Sequence, residues 1–426
     1  MIRFIHAADL HLGRPMHQLQ VFDKQLQQTL KNSLANSFNR LIDTAINEQV
    51  DCVLFSGDIY DSPTGALAEQ FRFKGGMERL AAANIPAYVL FGNHDYQNIH
   101  AHHIDLPDNV TVFPEDVKTV TLKTASNETV ALSGFSYGTQ WIKTNPLDQY
   151  PNKRMSADYH IGLLHGAEKT GNPADDRYAP FDAKQMQSLG YDYWALGHIH
   201  RHHAVHDDPR IWYPGNIQGM RANEAGPKGG LFVTLQPGQM PQVEPFETTD
   251  WQFYVKSVNL KDVASVEDLR VVIEHALNDV HHEAQREALN LLTVLEGHVT
   301  SDNEEALHWY EEYSEPLLNE ERRSMQRKFA NQGEAFGQVA LYTMKLVIDA
   351  PEMAVTYRSF DQQAVLQRID QYQDEATFEE LIEPLLRNSQ WLTQVWPMID
   401  QEQFKEEVLA TAKQQLFFMN QTLNDD

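Results

Sequence analysis

The sequence predicts an α/β protein built first around a parallel sheet. Three observations carry this. Apolar runs of strand length recur at residues 2–8, 51–56 and 85–91. Segments with apolar residues at helical spacing lie between them, at about 21–48 and 66–83. Each run then empties into polar residues able to hold a metal or a proton: Asp9-Leu10-His11, Gly57-Asp58 and Gly92-Asn93-His94-Asp95. Strands alternating with helices imply a parallel sheet with right-handed crossovers. In such sheets ligands bind just beyond the carboxyl ends of the strands.

In strand 2–8, His6 reads as packed in the sheet. The helix at 21–48 turns Leu26, Leu30, Leu34, Phe38, Leu41 and Ala45 toward a core. Strand 51–56 carries the single cysteine, Cys52. It excludes an internal disulfide and reads as a small buried residue. The helix at 66–83 is expected to bury Phe71, Phe73, Met77 and Leu80. After strand 85–91, Gly92 lets the chain turn sharply and keeps bulk away from whatever sits there.

Short β-rich segments at 110–113, 119–122 and 129–135 suggest antiparallel strands of a second sheet layer. A polar loop at 136–157 follows. Strand 159–164 ends in His165-Gly166, and strand 193–196 ends in Gly197-His198-Ile199-His200. Val205, 211–213, 230–235 and 242–246 are further strand candidates, with Tyr213-Pro214-Gly215-Asn216 as a turn. Beyond residue 250 a small α+β region is expected. Its strands are 253–260, 289–299 and 338–348, and its helices are 265–279, with Ser265 near the N-cap, and 303–318; a charged stretch, 319–328, follows the second helix. Acidic helices are expected at 361–373, 375–388 and 401–423. The domains are therefore read as 1–250, 251–358 and 359–426.

The net charge is −26, with the larger share beyond residue 250. A basic stripe, the usual footprint of a nucleic-acid binder, is missing at this level. That counts against a stand-alone tight DNA binder. It does not count against a metal enzyme acting on phosphates, because bound divalent cations can dominate the local field. No apolar run approaches the roughly 20 residues that cross a bilayer. The first ten residues make a poor signal peptide, since Asp9 interrupts a short apolar run. A cytoplasmic protein without a membrane partner is expected.

The strand-end residues Asp9, His11, Asp58, Asn93, His94, His165, His198 and His200 combine carboxylate, imidazole and amide oxygen. Such donors suit manganese, iron or zinc, and a thiolate zinc site is excluded. Two such ions about 3.5–4 Å apart clamp a phosphoryl group and activate a shared water. A histidine titrating near neutrality suits the proton needed by the leaving alkoxide.

The order Asp-x-His, Gly-Asp, Gly-Asn-His-Asp, His-Gly, Gly-His-x-His resembles that of the calcineurin-like metallophosphoesterases. The resemblance implies a four-layer α-β-β-α metallophosphoesterase sandwich, followed by the small α+β capping domain and C-terminal helices. It also implies roles. Asp9, His11 and His200 would hold one metal, Asn93, His165 and His198 the other, and Asp58 would bridge them. His94 would be the general acid, and Asp95 would either orient its ring or be a plain turn residue.

Within that superfamily, Phe4-Ile5-His6-Ala7-Ala8-Asp9-Leu10-His11-Leu12-Gly13, Phe55-Ser56-Gly57-Asp58-Ile59-Tyr60-Asp61 and Ala195-Leu196-Gly197-His198-Ile199-His200 resemble SbcD-type DNA-repair exonuclease subunits, the shorter YhaO-like members most. The likeness is strong over 1–250 and weak beyond. It implies DNA cleavage with two divalent ions, Mn²⁺ above all, a coiled-coil ATPase partner of the SbcC kind, and in many members a homodimer. Where archaeal and eukaryotic relatives place a second histidine after the bridging aspartate, this chain has Asp61. Arg221 is a candidate phosphate contact, balanced by a solvated surface role. A phosphoesterase acting on a phosphomonoester or small nucleotide is the competing class, and a non-catalytic adaptor is disfavoured by the complete ligand set. The acidic helices either dock the partner's coiled coil or pack on their own domain.

Overall fold

The computed structural model describes residues 1–349 except 64, 100–103, 154–155, 172–175, 301–302 and 330–336, together with the isolated residues 372, 378, 405, 408 and 409. The chain divides into two units, Met1–Pro351 and Glu352–Asp426. Apart from those isolated residues, the helices expected at 361–373, 375–388 and 401–423 lie outside the described residues.

Strands β1 (Ile2–Ala7), β2 (Cys52–Ser56), β3 (Ala87–Leu90) and β4 (Val110–Val112) form a parallel run in that order. On the far side of β1, β11 (Gly229–Leu235) and β12 (Gln242–Glu247) extend the sheet antiparallel. Alternation along the strands divides their side chains between two cores. Ile5, Ala7, Val53, Phe55, Ala87 and Val89 meet helices α1 (Lys24–Asn47) and α2 (Leu67–Ala82) through Leu30, Phe38, Leu41, Phe73, Met77 and Leu80. Phe4, Cys52, Leu54 and Leu90 face the other way, onto Leu132, Ile161, Leu163 and Tyr193 of a second sheet. With both faces covered, nearly every position in these strands is apolar.

The second sheet holds β5 (Lys118–Lys123), β6 (Thr129–Gly134), β7 (Tyr159–His165), β8 (Tyr193–Gly197), β9 (His203–Ala204) and β10 (Ile211–Tyr213), in the order β5-β6-β7-β8-β10-β9. Its outer side chains, Leu164, Trp194 and Leu196, pack with Ala183 and Met186 of α3 (Ala183–Leu189). Helix, sheet, sheet, helix is the expected four-layer sandwich. His6 crosses between the sheets. Its Nε2–H donates to Leu196 O at 2.9 Å and its Nδ1 accepts from the Tyr193 hydroxyl at 3.0 Å. Burial drives its pKa down to about 3 and keeps it neutral. It is a core residue, as read.

Several expectations change. The segment at 110–113 joins the first sheet, parallel to β3, while β5 and β6 form the antiparallel pair. Three residues carry too little pattern to assign a sheet. Phe71 is 58% exposed. It sits two residues, about 200° of helix rotation, from the buried Phe73. Val205 begins a 3-10 turn, Val205–Asp207. Helix α3 had no sequence signal long enough to show a period, although Asp182 caps it and Gly190 closes it at φ 75.

Past residue 250, β13 (Gln252–Asn259), α4 (Val266–Glu287), β14 (Leu291–Thr300), α5 (Glu304–Phe329) and β15 (Val339–Asp349) alternate, and the three strands run parallel. Ser265 caps α4 by accepting from the Asp268 N–H. Helix α5 runs through Pro316 and absorbs the charged stretch at 319–328. Arg322 in that stretch is buried, donating to the Leu341 and Tyr342 carbonyls of β15. Trp251, Phe253, Leu292, Val294, Ala340 and Tyr342 join the core beneath α1. Among the described residues, no helix is long and apolar enough to cross a membrane.

Candidate metal centre

The strands leave the sandwich at one end through abrupt turns. Asp9, His11, Asp58 and His198 all have positive φ, at 52, 44, 51 and 103°. Such backbone costs a side-chain-bearing residue about 1 kcal/mol or more. Local hydrogen bonds hold it. Asp9 N–H donates to Gly57 O at 3.0 Å, His11 N–H to Asp58 O at 2.9 Å, and His198 N–H to both Asp9 carboxylate oxygens at 3.1 and 3.0 Å. The first sheet thereby presents Asp9, His11, Asp58, Asn93 and His94, and the second presents His165, His198 and His200.

These side chains converge. His11 Nε2 and His200 Nε2 are 3.0 Å apart. Asp58 Oδ2 lies 3.4 Å from His165 Nε2 and 3.7 Å from His11 Nε2, while its Oδ1 accepts the His94 N–H at 3.0 Å. Asn93 Oδ1 is 3.1 Å from His165 Nε2 and 3.2 Å from His198 Nδ1. Three overlapping donor groups emerge: Asp9, His11 and His200; His11, Asp58 and His94; Asp9, Asp58 and His165. Gly92 is required by closeness. A Cβ there would stand 2.8 Å from the Asp58 backbone nitrogen and nearer still to its Oδ1.

Burial and charge set the protonation states. Burial opposes a charge on His165, yet Asp58 and Asp9 lift its pKa to about 9. Burial likewise works against Asp58, but the facing histidines, His165 first, hold it well below the usual carboxylate range. Burial, reinforced by the charge of His165, takes His198 down to about 3. Burial followed by repulsion from Asp58 pushes the Asp95 carboxyl up.

The donors fit cations. His165 Nδ1 donates to Ser56 O at 2.9 Å, which leaves Nε2, 3.4 Å from Asp58 Oδ2, as the nitrogen that a cation would take over from its proton. His200 Nδ1 donates to Glu224 Oε1 at 2.7 Å, and His11 Nδ1 faces Asp61 Oδ1 at 3.3 Å. The His11 and His200 Nε2 atoms, 3.0 Å apart, are close enough to bind one cation side by side.

Residues 2–202 match the model of the family described as calcineurin-like phosphoesterase. These residues form a calcineurin-like phosphoesterase domain. The chain is 34% identical over 241 residues to the uncharacterized metallophosphoesterase YhaO of Bacillus subtilis strain 168, covering 56% of this chain and 59% of that protein. It is 24% identical over 248 residues to the DNA double-strand break repair protein Mre11 of Thermoplasma acidophilum (55% and 63%). It is 28% identical over 221 residues to the protein of the same name in Saccharolobus solfataricus (50% and 53%). The chain thus spans less than two thirds of the length of these curated relatives.

In the phosphoesterase domain the expected metal-holding residues and His94 lie in one cluster. Of the two readings of Asp95, the contacts described here are those of a turn residue. Its carboxylate accepts from Ile59, Tyr60 and Gly92 backbone N–H groups and so ties the turn after β3 to the turn after β2. The carboxylate that faces the His94 ring is Asp61, with Oδ1 3.7 Å from Nδ1; the same oxygen is 3.2 Å from Arg14 Nε. Arg221 is exposed, and its carbonyl accepts the Glu224 N–H at 2.9 Å.

Glu224 escaped the sequence reading. It sits on an irregular loop without periodicity, and the one available clue was that a metal-holding histidine needs an acceptor for its other N–H. Its second oxygen takes the Met220 N–H at 2.8 Å. Against the cost of burial, the His200 contact brings its carboxyl down to about 2. Glu224→Gln is expected to weaken Mn²⁺ binding by about 10–100-fold, read by calorimetric titration. Unaltered affinity would show that His200 needs no such partner.

Proposed function

We propose that this chain is a nuclease that hydrolyses DNA phosphodiester bonds with two Mn²⁺ ions, as the cytoplasmic nuclease subunit of a complex with an SbcC-like coiled-coil ATPase. The observation that carries the reading is the cluster itself: donors from two sheets converge around Asp58, with the partly exposed His94 beside them. Asp9, His11 and His200 would hold one ion, Asn93, His165 and His198 the other, and Asp58 would touch both. When bound, the ions supply charge neutralisation at the phosphate and a water made nucleophilic near neutral pH.

The remaining chemistry belongs to the chain. His94 has 38% of its side chain open, in contrast to 2% for His11, so it can reach a leaving oxygen and give it a proton. One Asp61 oxygen faces that ring at 3.7 Å, the His11 ring at 3.3 Å and Arg14 Nε at 3.2 Å, within ion-pair range. The similarity to proteins named for double-strand break repair supports DNA as substrate. The charge of −26 fits a subunit whose partner supplies the basic DNA surface.

The test is a side-by-side assay of EDTA-stripped protein, with and without added Mn²⁺. The substrates are duplex DNA, single-stranded DNA, a phosphomonoester and a cyclic nucleotide. Mn²⁺-dependent digestion of DNA, exceeding turnover of the other two, is expected. Turnover confined to the phosphomonoester or the cyclic nucleotide would overturn the nuclease reading.

A further inference from the structure

Beside the metal centre lies a row of aromatic and cationic side chains that phosphate hydrolysis does not require. The Tyr178 ring lies 4.5 Å from the His198 ring, tilted by 34°. The Arg177 guanidinium carbon is 5.1 Å from the Tyr178 ring centre and 5.6 Å from that of Trp141. Trp141 ends the row with 48% of its surface open to solvent. The row is held in place. Ile142 N–H donates to Arg177 O at 3.0 Å and Ala179 N–H to Ile142 O at 2.8 Å, which bridges the two loops. The Thr139 hydroxyl donates to Trp141 O at 3.0 Å.

Taking the nuclease reading as given, we propose that Trp141, Arg177 and Tyr178 form a stacking platform for a nucleobase of the strand whose phosphate enters the metal centre. Three features point to that ligand. An indole left half open on a fixed loop offers a flat apolar face, and every base has a π-face to match it. A guanidinium beside aromatic rings strengthens such a stack. Arg177 also has charge to spare: no carboxylate pairs with it among the described residues, and its buried Nε has no hydrogen-bond partner. Its positive charge therefore suits a neighbouring phosphate. The chain of ring contacts runs directly to His198, so a base on Trp141 and a phosphate at the ions can belong to one strand.

Stacking of this kind ignores base identity but requires that a base be present. The experiment compares Mn²⁺-loaded wild type, Trp141→Ala and Trp141→Phe. Each is given a single-stranded oligonucleotide, the same strand with abasic residues, and methyl p-nitrophenyl phosphate. Wild type is expected to show a KM for the base-bearing strand about 10-fold below that for the abasic strand. In Trp141→Ala this ratio collapses toward one, and Trp141→Phe restores most of it. A wild-type ratio of one, or a ratio that survives Trp141→Ala, overturns the platform while DNA cleavage stands. Wild-type hydrolysis of the small diester with neither strand cut overturns the nuclease reading and the platform together.

Discussion

Asp58→Asn is expected to strip both ions from the centre and to slow hydrolysis by about a thousandfold or more, since each tenfold corresponds to about 1.4 kcal/mol and an ion supplies several. The side chain is 2% exposed, and its Oδ2 lies 3.4 Å from His165 Nε2 and 3.7 Å from His11 Nε2. Asn keeps the shape and an oxygen to receive the His94 N–H. It loses the negative charge that two cations would share. The metal-free protein is expected to lose some stability, because the buried His165 loses the charge that faces it. Elemental analysis after gel filtration and a thermal melt with and without Mn²⁺ read both halves. A lower melting point without metal, and no upward shift on adding it, is the expected pair. Wild type should gain about 2.7 kcal/mol at a hundred times the dissociation constant. Full metal content in Asp58→Asn would remove the aspartate from its shared position.

His94→Ala is expected to lower kcat by about 10²–10⁴-fold. His94 also falls within the donor group of His11 and Asp58, with the His11 and His94 rings 4.8 Å apart. A ligand and a proton donor differ in two measurable ways. Loss of a donor leaves metal content intact, and the defect shrinks when the leaving group needs no proton. Retained Mn²⁺ and a much smaller deficit on a p-nitrophenyl diester than on DNA are expected. Equal deficits on both substrates, or loss of metal, would place His94 among the ion-holding residues instead.

The parts of this molecule that were legible in the sequence share a physical cause. Asp9, Asp58, Asn93, His165 and His198 follow apolar strands whose ends the topology gathers at one edge, so position along the chain predicts position in space. The left-handed turns at Asp9 and Asp58 were not legible, since ordinary residues carry them. Asp61 and Glu224 are joined to the centre by side-chain contacts across loops, and no period marks a loop. Asp95 stood open between two roles because adjacency in sequence does not say which way a side chain leaves a turn; its carboxylate takes backbone N–H groups. Phe71 failed for the opposite reason: an apolar residue was assigned to a face that the helix turns outward.

The division of donors between the two sheets ties the interior to the chemistry. His165 Nδ1 reaches across to Ser56 O, and Asp9 reaches across to the His198 N–H. Between the sheets, Phe4, Leu54, Ile161, Leu163 and Tyr193 act as a gauge block, and their volumes set the distance between the donor sets of the two sheets. A change of one methylene there alters that gap before it unravels anything. Such a chain would still look native to circular dichroism while its grip on metal ions had already slackened.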